Sequence, residues 1–386
     1  MIDKIIDYSV RYKFLVIGLF ALVVGWGYWA LQRTPIDAIP DIGENQQIVF
    51  VDWPGRSPRD IEDQIVFPLS VRLMGIPGTK AVRTNAMFSF GLINIIFEDN
   101  VDFYWSRTRI LERLNLAQKD LPAGVIPQLG PDATALGQIF WYTVENGYYC
   151  PDHPQKRYAE SGTCPIDGQN LIRSSLDLGT LRSLQDWYIR FQLNAAKGVS
   201  EAATVGGYVK QYQIDVDPRK LLAYNINLHQ LFNAVQSSNV DVGAKVIEEN
   251  DMEFIVRGLG FIKSVEDIED IVIGSHEGVP VYVGTVGSVT IGPDFRRGAL
   301  DKEGVEVTGG VILMRQGANP MEVIQNVKQK ISEITPGLPP GVTIVPFYDR
   351  TELIERATSN LKDTLLEEIL VACLKGSGLE EGDTNA

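Results

Sequence analysis

Two cysteines and a histidine, Cys150, His153 and Cys164, fall in one short stretch of chain. Two thiolates and an imidazole make a reasonable donor set for a soft metal ion. The same two thiols could instead pair with each other. In an oxidising compartment two thiols in one loop invite a disulfide, and closing a loop of ~15 residues would stabilise the fold by ~3 kcal/mol. Both readings are open on the residues alone. Pro151, Pro154 and Pro165 would stiffen the loop in either case. His229 and His276 have no second ligand near them in sequence and read as surface or packing histidines. Met252 and Met314 sit on expected strands and read as core, and Cys373 lies in a short apolar run. There is no Gly-x-x-x-x-Gly-Lys-Ser/Thr loop to cradle a nucleotide phosphate and no Gly-x-Ser-x-Gly elbow. An enzyme is not indicated.

The compartment follows from the chain's start. Residues 14–31 carry no charge. At ~1.5 Å per residue they span roughly 27 Å as a helix, close to the ~30 Å hydrocarbon core of a bilayer. Lys4, Arg11 and Lys13 precede the run and Arg33 is the first cation after it, a bias that places the N-terminus in the cytoplasm. Trp26, Tyr28 and Trp29 cluster at its outer end, where amphipathic rings favour the headgroups. No small-x-small cleavage site follows, so the run reads as an uncleaved anchor. The remaining chain has few long apolar runs, and 45% apolar with 22% charged residues is ordinary for globular protein. A net charge of −14 argues against a nucleic-acid partner, whose phosphates demand an excess of Lys and Arg. It reads as a solvated acidic surface.

The elements that must position the loop form a repeat. Residues 47–53 read as a buried strand and 58–74 as a helix, with Ile61, Ile65, Leu69 and Leu73 at fourfold spacing. Ser57 is a plausible N-cap and Pro68 a kink. Strands at 79–87 and 92–98 follow. A helix at 102–119 comes next, with Trp105, Ile110, Leu111 and Leu114 on its apolar side, then a strand at 125–129. The order β-α-β-β-α-β is a split ferredoxin-like unit. A second such unit begins with a strand at 138–145 and a helix at 178–195, and resumes at 305–314, 320–334 and 342–347. Between these parts lies an inserted α/β segment. It has strands near 212–216, 252–257 and 281–283, a helix at 227–238 and a hairpin arm at 243–251. The fold class is therefore α+β.

Several stretches resemble the N-terminal portion of heavy-metal efflux transporters of the resistance-nodulation-division family. They include Thr34-Pro-Ile-Asp-Ala-Ile-Pro-Asp41, Ile96-Phe-Glu-Asp99, Tyr104-Trp-Ser-Arg-Thr-Arg-Ile-Leu-Glu-Arg113 and Gly130-Pro-Asp-Ala-Thr134. Leu181-Arg-Ser-Leu-Gln-Asp-Trp187, Val205-Gly-Gly207, Ile291-Gly-Pro-Asp-Phe-Arg-Arg-Gly298 and Tyr348-Asp-Arg350 complete the set. The Gly-Pro-Asp-Ala-Thr and Arg-Ser-Leu-Gln-Asp-Trp stretches are most similar to the monovalent copper/silver branch. Phe295, where that branch is expected to carry Met, departs from it.

The resemblance implies a proton-driven inner-membrane exporter, N-terminus cytoplasmic and main domain periplasmic. It implies a homotrimer working with a periplasmic adaptor and an outer-membrane channel, with the helix at 102–119 lining the trimer axis. The implied division is 1–33 cytoplasmic N-terminus and membrane helix, 34–134 first porter subdomain, 135–203 first part of the second, 204–286 docking subdomain, 287–350 second part of the second, 351–374 connecting helix and start of another span, and 375–386 a polar tail. The break from six apolar residues to that tail suggests a truncation or frameshift; a natural helix end with a disordered tail is the alternative. The family's membrane carboxylates and its metal-site methionines would lie beyond residue 386. A naturally short membrane-anchored metal-binding or scaffold protein is the competing function.

The Cys/His loop, 147–174, is an extra insert, and it resembles a small heavy-metal-binding module, Cys-Pro-x-His-Pro … Cys-Pro-x-Cys-Gly-Met. Cys150, His153 and Cys164 match it; Asp167 stands at the usual second Cys of the latter half and Gln169 at the Met. The resemblance implies a metal set of Cys150, His153, Cys164 and Asp167 for copper(I), silver(I) or zinc, with no cofactor required. A carboxylate ligand would favour zinc or another divalent ion over copper(I).

Overall fold

The computed structural model describes residues 10–33, 37, 39, 43–249, 252–258, 260–296 and 298–376. The expectations for Lys4, for most of 34–41, for Asn250 and Asp251 and for the tail beyond residue 376 lie outside them, as does the side chain of Cys373. Helix α1 spans Lys13–Arg33, and Phe14, Ile17, Phe20 and Trp26 on it are exposed. Among the described residues no helix is long and apolar enough to cross a membrane.

The chain divides into two compact units. One comprises residues up to Ser174, Asp186–Thr204 and those from Gly309; the other is Ser175–Gln185 with Val205–Thr308. The first unit begins with strand β1 (Gln46–Asp52), whose residues alternate between core and surface. Helix α2 (58–74) follows. Ser57 caps it in a reciprocal box: the Ser57 hydroxyl accepts from the Asp60 N–H, and the Asp60 carboxylate accepts from the Ser57 N–H, both at 3.2 Å. The middle turn of α2, Glu62–Val66, is a π-helix, and the Phe67 N–H donates to the Glu62 carbonyl. Pro68 cannot donate to the ladder, so the expected kink takes the form of a widened turn. Strands β2 (Thr79–Met87) and β3 (Phe90–Phe97), helix α3 (Phe103–Ala117) and the short β4 (Gln128–Leu129) complete an antiparallel sheet in the order β2-β3-β1-β4. Val49, Val51, Ile93, Ile95 and Phe97 of the sheet pack with Ile61, Ile65, Leu69, Leu73, Ile110 and Leu114 of the helices. Along α3 the buried positions are Ser106, Ile110, Leu114 and Ala117; Trp105 and Leu111, expected on the apolar side, are exposed. The stripe follows 3.6-residue periodicity, and those two fall off it.

Strand β5 (Gln138–Asn146) opens the second repeat. Three two-residue strands, β6 (Tyr148–Tyr149), β7 (Arg157–Tyr158) and β8 (Ile172–Arg173), belong to the Cys/His insert. Helix α4 (178–194) contains a π turn at Gln185–Ile189, matching that of α2 although no proline follows. Strand β9 (Val199–Gly206) had no clear counterpart in the sequence pattern. The inserted segment holds β10 (Lys210–Val216), α5 (Pro218–Ala223), α6 (Leu228–Ser238), β11 (Val242–Glu249), β12 (Met252–Gly258), α7 (Val265–Glu269), β13 (Val272–His276), β14 (Val279–Tyr282), α8 (Val283–Val286), β15 (Gly287–Pro293) and β16 (Leu300–Lys302). The repeat resumes with β17 (Val305–Met314), α9 (Pro320–Ile334), β18 (Val342–Asp349) and α10 (Thr351–Gly376). Strand β17 lies between β9 and β5, and β5 pairs with β18. The order β9-β17-β5-β18 repeats that of the first sheet.

In the other unit β15 pairs antiparallel with β10 from Lys210↔Pro293 to Val216↔Gly287. Strand β15, which the sequence placed with the second repeat, therefore pairs with the inserted segment, whereas β16 pairs antiparallel with β17 from Leu300↔Val307 to Lys302↔Val305. Ile226, Leu231, Ile268, Ile273, Val281, Val283 and Val289 form the core of the inserted segment. The expected hairpin arm is β11 paired with β12, and Met252, read as core, is exposed on it. His276 packs edge-on against Tyr224, with ring centroids 5.7 Å apart.

Asp177 caps α4, accepting from the Thr180 N–H at 3.0 Å and from Lys210 Nζ at 3.2 Å. The Thr180 hydroxyl, then its N–H and Lys210, hold this carboxyl well below the usual range, against a smaller opposing push from burial. Asp177→Ala is expected to cost about 1 kcal/mol, typical of a lost N-cap, since the exposed Lys210 pair adds little. With a depressed folded-state pKa, the contribution is complete above pH ~4 and fades as pH falls further. Thermal unfolding of both proteins across pH 2–7 checks it; a gap that persists undiminished at the acid end would contradict it.

Candidate metal centre

The insert leaves β5 at Gly147 and returns at Ser174. The Gly147 N–H donates to the Gly341 carbonyl at 2.7 Å, and the Ser174 N–H donates to the Gly147 carbonyl at 2.9 Å. A side chain at Gly147 would meet the Tyr158 and Gly341 carbonyl oxygens at 2.9 and 3.1 Å, so the two strand ends close here only over glycine. Strands β7, β6 and β8 form a small antiparallel sheet. Arg157 clamps it to the start of β18: Nε donates to the Val342 carbonyl at 2.8 Å and Nη2 to the Leu338 carbonyl at 2.7 Å.

The four residues singled out from the sequence meet at the tip. One ligand atom from each of Cys150, His153, Cys164 and Asp167 lies within 4.8 Å of the others. Cys150 Sγ donates to Asp167 Oδ2 at 3.0 Å, His153 Nδ1 lies 3.0 Å from the same oxygen, and Cys150 Sγ is 3.7 Å from His153 Nδ1. Both cysteines are free thiols and both are buried.

Two tight turns create this geometry. In the first, the His153 N–H donates to the Cys150 carbonyl at 3.1 Å. In the second, the Gly168 N–H donates to the Cys164 carbonyl and the Cys164 N–H to the Gln169 carbonyl, at 2.9 and 2.7 Å. Gly168 takes a left-handed φ of 74° to close that turn. The backbone N–H groups of His153 and Asp152 favour the Cys150 thiolate, and those of Ile166 and Asp167 favour the Cys164 thiolate. Burial, then the hydrogen bond to Asp167, pushes the Cys150 thiol up. Burial also pushes Cys164 up, but the two N–H groups, the Tyr158 hydroxyl and the Cys150 thiol together outweigh it, and that thiol lies below its ordinary value. Donation from Cys150 and from the Gln169 N–H lowers Asp167 to about 2.

The structure adds residues that the sequence did not reveal. The Tyr158 hydroxyl lies 3.7 Å from Cys164 Sγ, and the Gln169 amide donates to Asp152, tying one turn to the other. Neither Arg157 nor Tyr158 belongs to a periodic pattern, so nothing in the sequence marked them.

Two β-α-β-β-α-β units with matching strand order, the second interrupted by an α/β unit, define a mixed α/β porter-type fold. The chain belongs to the AcrB/AcrD/AcrF family, whose model matches residues 5–375. It is 40% identical to the cation efflux system protein CusA of Escherichia coli strain K12, over 97% of this chain and 34% of that one. It is 36% identical to the nickel-cobalt-cadmium resistance protein NccA of Alcaligenes xylosoxydans xylosoxydans, over 95% of this chain and 35% of that one. The chain thus spans about a third of the length of the curated relatives it matches. The crystal structure of a heavy metal efflux pump superposes with a TM-score of 0.82 at 28% identity, over 96% of this chain and 34% of that one.

Proposed function

We propose that this chain supplies the first membrane helix and part of the porter region of a proton-driven heavy-metal efflux subunit, exporting copper(I) or silver(I). The observation that carries this reading is the 40% identity to CusA along 97% of the chain, higher than the 36% to NccA. The subunit would act in the bacterial inner membrane as a homotrimer, with a periplasmic adaptor and an outer-membrane channel. Helix α1 would be its anchor, a reading that rests on the sequence and not on the described helix: the uncharged run 14–31, wholly helical, would span roughly 27 Å against the ~30 Å of a hydrocarbon core, and a helical backbone satisfies its own amides there. The main domain would then face the periplasm.

The second reading, a membrane-anchored periplasmic metal-binding or scaffold protein without transport, is favoured by one feature, the Cys/His/Asp cluster. Deleting the gene in its source bacterium distinguishes the two. Export predicts that cells in sublethal copper or silver retain several-fold more of that metal, with nickel and cobalt content unchanged. Unaltered copper and silver content would contradict export and leave the second reading.

A further inference from the structure

The insert has almost no interior of its own. Its only buried residues are Gly147, Cys150, Cys164 and Ser174, and of these only the cysteines carry apolar side chains. Strands of two residues are far below the length that stabilises a sheet. A segment this small ordinarily needs a disulfide or a metal to hold its shape. Yet its two turns face each other with four donors converging at one point.

We propose that Cys150, His153, Cys164 and Asp167 form a closed four-ligand site for a resident divalent ion of the zinc class, which staples the insert and is not cargo. Three features carry it. First, the spacing suits a tetrahedral ion. Zinc bonds of ~2.0–2.3 Å set ligand atoms roughly 3.3–3.8 Å apart; here all four ligand atoms lie within 4.8 Å of one another, and the sulfur–oxygen, nitrogen–oxygen and sulfur–nitrogen separations of 3.0, 3.0 and 3.7 Å need shifts of only a few tenths of an ångström to reach that range. Second, both cysteines are free thiols, both are buried, and the two turns bring them to the same point as His153 and Asp167. Third, the set includes a carboxylate oxygen, a hard donor that suits a divalent ion better than copper(I) or silver(I). Two thiolates and a carboxylate also carry three negative charges, which a divalent ion offsets more fully than a monovalent one.

The role follows from access. Four protein ligands fill a tetrahedral ion, and structural sites are closed in this way, whereas sites that exchange a ligand keep a position open. Cys150 and Cys164 are 0% and 2% exposed, which hinders hand-off of an ion between proteins. Loading one ion exchanges two thiol protons for two metal–sulfur bonds, and both protons leave to solvent. The Cys150 proton now held against Asp167 is one of them, which frees that oxygen to bind the ion. The proposal goes beyond the export reading and does not depend on it.

The test uses the full chain in detergent under reductant, titrated separately with zinc(II), cobalt(II) and copper(I). One equivalent of zinc is expected, and cobalt should give the thiolate charge-transfer and tetrahedral d–d bands. Cys150→Ser/Cys164→Ser should abolish both. Because that double variant could unfold the insert by itself, Asp167→Asn provides a near-isosteric check. It should weaken zinc at least ~10-fold, the scale that even an outer-shell partner carries, and leave copper(I) affinity little changed. Zinc loading of the unaltered chain should slow hydrogen exchange across 155–173 at least ~10-fold, as expected of a segment the ion folds, with β5 unaffected. Zinc binding that survives the double variant overturns the proposal. So does zinc affinity indifferent to Asp167→Asn, unchanged exchange in the insert, or a Cys150–Cys164 disulfide without zinc in protein isolated without reductant.

Discussion

Replacing Arg350 with alanine is expected to lower the stability of its unit by roughly 3–5 kcal/mol, the range for breaking a buried ion pair from one side. Arg350 joins β18 to α10 in the chain and is 3% exposed. It donates to the Asp37 carboxylate at 3.2 Å, to the Leu136 carbonyl at 2.7 Å and to the Gln138 carbonyl at 3.1 Å. The Arg350 N–H itself bonds the Ile139 carbonyl at 3.2 Å. One planar fork thus gathers the start of β5, the turn before it and Asp37. Alanine leaves two carbonyls and a carboxylate without this donor. Arg350→Lys should recover only part of the loss, since a point charge cannot span three acceptors. Urea titration of the full chain, followed through Trp141, which stacks edge-on with Phe347 at 5.8 Å, reads the effect next to the site. A loss below about 1 kcal/mol would put this cation on a par with an exposed pair and contradict the account.

The second large effect is expected from Phe97→Ala. Phe97 ends β3 with a fully buried ring in the core of the first repeat, and its N–H bonds the Asn45 carbonyl at 2.8 Å. Truncation removes a ring from a close-packed interior bounded by sheet and helices, which resist collapse, and about 3–5 kcal/mol should be lost. Phe97→Leu keeps much of the volume and should cost less than half as much. Denaturant midpoints at constant slope provide the measurement. Equal losses for the two variants would mean that ring volume is not what Phe97 contributes.

Legibility from the sequence differed by element. The helix Pro320–Ile334 and the strand Val305–Met314 fall where their patterns place them. Each has a strong local signal: Asn319 and Pro320 start the helix, and Val323, Ile324 and Val327 keep its period. Strand β9 did not stand out, since its burial pattern lacks the alternation of a half-buried strand and its sequence is rich in alanine. The π turn in α4 had no sequence mark at all, because no proline follows it as Pro68 follows the turn in α2. Strand β15 was not read as a strand, and its partner β10 lies more than seventy residues away. Pairing over that distance depends on which edges the assembled sheet leaves open.

The donor types and most of the element order follow from local residue types and their spacing. Cys150, His153, Cys164 and Asp167 are chemically suited to metal wherever they sit, and the period of apolar residues specifies β-α-β-β-α-β through local steric preference and burial. The convergence of the four donors is a property of the folded chain. Residues 150–153 and 164–167 lie on separate turns, and what faces them is β6 pairing with both β7 and β8, Arg157 holding the start of β18, and Gly147 allowing the close approach. Those are long-range constraints. They arise from hydrogen bonds and excluded volume between distant segments, which no local run of residues encodes.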